Sequence, residues 1–132
     1  MYIISFFSAL VSMLAIDLVW LFTVAPRLYQ KYLGDLFLSE PRYIPAAIFY
    51  LVYIAALTVL VIVPSIQSGS SLLKVFLYGA LFGLAAYGTY DLTNHATLKG
   101  WVTIITVTDM AWGAFITGIA SVVAVYVQSI WK

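Results

Sequence analysis

Cysteine is absent from the sequence, so disulfides, thiolate metal sites and cysteine nucleophiles are all excluded. Charge is almost as scarce: 6 Lys and Arg and 5 Asp and Glu in 132 residues make up 8% of the chain. A water-soluble domain carries roughly a quarter, so this chain cannot cover a globule of its size with polar side chains. The net charge of +1 and the lack of any basic cluster leave no field to recruit nucleic acid. No serine stands in a G-x-S-x-G elbow and no Gly-rich phosphate loop occurs. Nor does a basic stretch precede the N-terminal apolar run, as a cleaved signal peptide would require. That run is expected to be retained as a helix.

What the sequence does have is apolar length. It is 64% hydrophobic, with a mean hydropathy of +1.07. Crossing the hydrocarbon core takes about 20 helical residues. Four runs meet that length: Ile3–Ala25, Ile44–Pro64, Leu72–Leu98 and Trp101–Gln128. The expected fold is all-α: one transmembrane domain over 1–132, four helices in an antiparallel bundle. Residues 65–71 and the pair Lys99-Gly100 are short connections, which force neighbouring helices to run antiparallel. The first connection is longer. Within it Arg27, Gln30, Lys31, Gly34 and Asp35 share one helical side, and Leu28, Tyr29, Tyr32, Leu33, Leu36 and Phe37 the other. That pattern predicts an amphipathic helix lying in the membrane interface. Arg27, Lys31, Arg42 and Lys99 in the first and third connections, against Lys74 and Lys132, put those connections inside and both termini outside.

Three of the spans carry an aspartate, a residue that costs between about 3 and more than 10 kcal/mol inside a bilayer. Asp17 lies eight residues before Ala25, Asp91 seven before Leu98 and Asp109 eight after Trp101. At 1.5 Å per residue each is roughly 10–12 Å below a membrane face. Because the helices alternate in direction, it is the same face for all three. On the third span Gly83, Tyr87, Tyr90, Asp91, Asn94 and Leu98 fall within one sector, with His95 at its edge. On the fourth, Thr106, Asp109, Trp112, Gly113 and Thr117 share a face. Asp17-Leu-Val-Trp20 and Asp109-Met-Ala-Trp112 repeat a D-x-x-W pattern on oppositely directed helices, as an inverted duplication would. The second span has no acid and reads as a packing element. Gly79 and Gly83 form a G-x-x-x-G, continued by the row Gly113, Thr117, Ser121; Ser5, Ser8 and Ser12 make a similar stripe away from Asp17. Tyr2, Trp101, Tyr126 and Trp131 fit interface anchors, whereas Trp20 and Trp112 lie deeper, where they could line a pocket.

Three ionised carboxylates cannot coexist in such a layer, where His95 is the one nearby group able to carry positive charge. At least one should hold a proton, or the layer should hold a cation. Asp17, Trp20, Tyr87, Tyr90, Asp91, Asn94, His95, Asp109 and Trp112 are therefore the candidate ligand-binding or proton-coupling residues. Asp91 and His95, four residues apart, can form an acid–base pair, and Asp91, His95 and Asp109 are a candidate divalent-metal set. Binding or transport of a small or cationic ligand, coupled to protons, is the leading expectation. The alternatives are an intramembrane enzyme acting on a lipid or isoprenoid, and a structural subunit in which the carboxylates only fasten helices.

The stretch from Ala86 to Trp101, with its Y-D-x-T-N-x-A-T motif at Tyr90–Thr97, resembles a family of predicted bacterial inner-membrane proteins labelled only as a domain of unknown function. Thr108–Gly113 and Asp17–Trp20 fit the same pattern, and the resemblance covers essentially the whole chain. It implies four helices and a bacterial cytoplasmic membrane, and supplies no activity. Membrane lipids are the expected surroundings. Four helices make a narrow bundle, so a homodimer is expected; light scattering corrected for detergent should return the mass of two chains, and one chain's mass would count against it.

Overall fold

Hydrocarbon offers the backbone no hydrogen-bond partner, so a chain crossing it must satisfy its own amides by coiling. The computed structural model describes residues 1–131; Lys132, counted above among the charges on the terminal side, lies outside them. Four helices are long and apolar enough to cross a membrane: α1 (Tyr2–Thr23), α3 (Tyr43–Gln67), α4 (Leu72–Thr97) and α5 (Thr103–Ile130). Between the first two lies the short α2 (Ala25–Leu33). No strand occurs among the described residues. The expected four-helix membrane fold is therefore what the chain adopts.

Its corners follow from local chemistry. Pro26 has no amide hydrogen to continue α1, and the chain turns there into α2. Gly69 (φ 62°) and Gly100 (φ 78°) take left-handed conformations that let α3 reverse into α4 and α4 into α5. Ser71 caps α4 by accepting the Lys74 backbone N–H at 3.3 Å. The second span was expected to stop at Pro64, yet it runs on to Gln67. A π turn at Thr58–Ile62 precedes the proline, and such a widened turn absorbs the hydrogen bond that Pro64 cannot make. Amphipathic α2 ends at Leu33, followed by a 3-10 turn at Gly34–Leu36, so the interfacial helix is shorter than the periodic pattern suggested.

Helices associate in lipid through close packing rather than hydrophobic expulsion. α5 is the centre of the bundle, with α4 along one side and α1 along another. The α4–α5 contact is the tightest. A Cβ added at Gly83 would collide with the Gly113 carbonyl and the Thr117 side chain, and one at Gly79 with Ser121 and the Thr117 carbonyl. The G-x-x-x-G thus seats α4 directly on the small residues of α5. On α1 the buried row is Ser5, Ala9, Met13, Asp17, spaced by four. Ser5 consequently belongs to the row that ends at Asp17, while Ser8 and Ser12 are only half-buried. The serine stripe expected away from Asp17 is split, because ridges at intervals of four govern the crossing. The lipid-facing hydroxyls of Thr89, Thr93 and Thr97 turn back onto carbonyls four residues earlier and so need no partner.

Replacing Gly83 by Ala should separate α4 from α5 and lower stability by roughly 1–3 kcal/mol. Gly34→Ala is the control, since its Cβ would meet only the mobile end of Gln30 at 3.3 Å. Thermal unfolding of both variants in detergent checks this, and equal melting of Gly83→Ala and the parent would contradict the close approach.

Candidate functional site

The packing just described brings the three aspartates to different partners. Asp17, 7% exposed, accepts a hydrogen bond from the Tyr50 hydroxyl of α3. It accepts another from Trp112 Nε1 of α5 at 3.0 Å. The Trp112 ring lies nearly parallel to Trp20, with centroids 4.2 Å apart. The two D-x-x-W fragments therefore meet across the α1–α5 contact, and the tryptophan of one donates to the aspartate of the other. Behind them the Tyr87 ring covers Gly113 and stands edge-on to Tyr53. The Tyr53 hydroxyl pairs with Thr117 Oγ1 at 2.7 Å. The second span, read as packing alone, in fact supplies two tyrosine hydroxyls to this polar core. Each carboxyl oxygen of Asp17 thus has its own donor.

Asp91 and Asp109 form a separate place. Asp109 Oδ1 accepts the Tyr29 hydroxyl at 2.5 Å. Burial first, and then the hydrogen bond to Asp109, push the Tyr29 phenol well above its ordinary range. It remains a donor throughout the physiological range. Asp91 is fully buried at 0% exposure. Neither of its carboxyl oxygens meets a hydrogen-bond donor among the described residues. Its acidic companion on α5 is Asp109, which lines the same cavity. Two carboxylates lining one cavity supply acceptors only; a proton or a cation is what such a pair lacks.

Both line a cavity of about 170 Å³. α2 and the turn after it form the roof, through Tyr29, Leu33 and Phe37; Tyr90 and Trp101 stand at the side. Those last two rings meet edge to face at 5.7 Å. Trp101, expected to anchor at the interface, is instead 9% exposed. It folds back from the α4–α5 connection to pack on Leu33 and Ile105. Its Nε1 donates to Thr106 Oγ1 at 2.9 Å.

That threonine also holds His95, whose Nδ1 lies 3.1 Å from Thr106 Oγ1. His95 is thus drawn toward the start of α5 and does not form the acid–base pair with Asp91. The Asp91–His95–Asp109 metal set is likewise not assembled: among the described residues no three His, Asp or Glu side chains gather around one point. Asn94 is half-buried and stands outside the cavity lining. Trp20, Tyr87 and Trp112 belong to the core around Asp17, and of the expected set only Tyr90, Asp91 and Asp109 share the cavity.

Tyr29 and Tyr50, which complete the two carboxylate sites, were not among the residues singled out from the sequence. A signal existed, because a tyrosine buried in or beside a span must find a partner for its hydroxyl. The sequence could not say which.

With this geometry in hand, the comparisons add one fact. The model of the family described as "Predicted membrane protein (DUF2177)" matches residues 2–126, and the chain belongs to that family. No curated protein and no solved structure matches the chain.

The two carboxylate environments predict opposite responses to an amide. Asp17→Asn turns an amide donor toward one of two donors, and should cost about 1.5–3 kcal/mol. Asp91→Asn offers its amide N–H to the Asp109 carboxylate, and should leave stability unchanged or raise it. Melting temperatures of the two variants decide; an equal loss in both would mean that Asp91 also fastens helices.

Proposed function

We propose that this DUF2177 member binds a small cation between Asp91 and Asp109, in exchange for a proton that the pair holds when empty. This is the step on which a proton-coupled binding or transport protein turns. The observation that carries it is Asp91: fully buried, without a donor, and lining one cavity with a second carboxyl. A side chain placed so in lipid is costly unless neutralised. Asp17 supports the reading by contrast, since its two donors mark what a merely structural aspartate looks like here. Enzymatic chemistry on a lipid loses its support, because His95 is engaged by Thr106 rather than by the carboxyl pair. Carriage across the membrane is favoured by the mirrored D-x-x-W fragments, the feature shared with inverted-repeat carriers. The same proposal locates the protein in the bacterial cytoplasmic membrane, with its first and third connections inside.

Cation and proton compete for the same oxygens, so affinity should rise as pH rises. The titratable groups facing the pair are Tyr29 from α2 and Tyr90 from α4, with Asp17 and Tyr87 in the core behind. Infrared difference spectra of the full chain in lipid vesicles test the resting state. A carboxylic-acid carbonyl band is expected at neutral pH, lost in the Asp91→Asn/Asp109→Asn double variant. A parent protein without that band would sink the proposal.

A further inference from the structure

The proposed exchange leaves open which cation the cavity takes, and the cavity's own atoms narrow the choice. Hard metal ions need many oxygens: Ca²⁺ takes six to eight, and Mg²⁺ a near-ideal octahedron. Here the side-chain oxygens are those of Asp91, Asp109 and the two phenols Tyr29 and Tyr90, two carboxyls and two neutral hydroxyls, and the rest of the lining is aromatic or aliphatic. Such walls stabilise organic cations, whose charge is attracted by a ring face and whose carbon atoms fill apolar space.

Counting acceptors narrows it further. Asp109 Oδ1 is already taken by Tyr29. Asp91 Oδ1 and Oδ2 have no donor, and no hydrogen bond to Asp109 Oδ2 occurs among the described residues. Three carboxyl oxygens are thus without a donor. A primary ammonium brings three N–H donors on one nitrogen, as the lysine head group does. A quaternary ammonium brings none.

The charge also balances. An Asp91–Asp109 pair holding one proton carries a charge of −1. When R–NH₃⁺ enters and that proton leaves to water, the pair with its ligand again carries −1. The exchange alters no bond except the O–H broken, and it adds no net charge to the membrane interior, where added charge is most costly.

Size sets the remaining limit. A cavity of about 170 Å³ is well below the roughly 300–1,000 Å³ of pockets for drug-sized ligands. We propose that the Asp91–Asp109 cavity is a site for a small primary alkylammonium ion, its nitrogen held by the carboxyl pair and its alkyl group against Tyr90 and Trp101.

This rests on the proton-exchange reading above, and one titration separates their failures. Full-length protein in lipid nanodiscs is titrated calorimetrically with ethylammonium chloride, in two buffers of different ionisation enthalpy. Tetramethylammonium, sodium and magnesium chlorides are the comparison ligands. Ethylammonium should bind at least tenfold more tightly than any of the three, releasing close to one proton per ligand. Tyr90→Leu removes a ring that is 58% exposed and makes no side-chain hydrogen bond, so folding should survive. It should weaken ethylammonium about three- to tenfold while leaving the carboxylic-acid band in place. Proton-linked binding of magnesium or sodium as tight as ethylammonium would overturn the ammonium assignment and leave the exchange reading standing. Tetramethylammonium binding as well as ethylammonium, or an unaffected Tyr90→Leu, would overturn it too. No cation binding at all, in a parent protein lacking the acid band, would overturn both.

Discussion

A carboxylate in hydrocarbon must be given donors, a proton or a counter-ion, and this chain has few of each to give. Its spans contain three aspartates, and the only side chain within them that can become cationic at neutral pH near that layer is His95. The donors are distributed unequally. Asp17 receives two, from Tyr50 and Trp112. Asp109 receives one, from Tyr29. Asp91 receives none. His95 pairs with Thr106, whose hydroxyl also accepts from Trp101, and it makes no hydrogen bond to any of the three. The inequality separates a carboxylate that holds the bundle together from a pair that requires something further.

The close packing of α4 on α5 produces that pair. With Gly79 and Gly83 on one helix and Gly113, Thr117 and Ser121 on the other, the backbones approach until side chains at the next level must confront each other. Beyond Gly83 the next level is Tyr87 against Gly113, and one turn further toward the interface come Asp91 and Asp109. Larger residues in the row would hold the helices apart and let lipid or water between the carboxyls. The glycines are structural, and the confrontation of the two acids is their chemical consequence.

The spans were legible because bilayer thickness sets a length that can be counted in residues. The meeting of Asp91 and Asp109 was nearly legible, since equal depth on antiparallel neighbours follows from the rise per residue. Equal depth did not suffice for Asp17, whose carboxyl is taken up by Tyr50 and Trp112 instead. Angle around a helix can be read from spacing; the direction in which a side chain finds its partner depends on the neighbouring helix and cannot. For that reason His95 was read as a companion of Asp91, four residues away on its own helix, when its hydroxyl partner stands on α5. Trp101 looked like an anchor because tryptophans at span ends usually are, yet the tight α4–α5 connection turns it inward. The π turn before Pro64 left no periodic trace.

The role of α2 changes most between sequence and structure. As a pattern it is an amphipathic connector resting on the headgroups. In the fold, its apolar face brings Tyr29 to Asp109 and Leu33 to Trp101, so the helix that lies in the interface is also the roof of the cavity. Its polar face carries Arg27 and Lys31, both exposed, and neither lines the cavity with the carboxyls. A lysine or arginine on the inner face would satisfy Asp91 permanently and close the site. On the connection side the pair is covered by α2, through Tyr29 and Leu33. The short α2, tied to the bundle by a tyrosine hydrogen bond and a small apolar cluster, is the element best able to yield. The Tyr29–Asp109 bond then links access to charge. Tyr29 donates to Asp109 Oδ1, so the charge on that carboxyl sets the strength of the contact that holds the roof down.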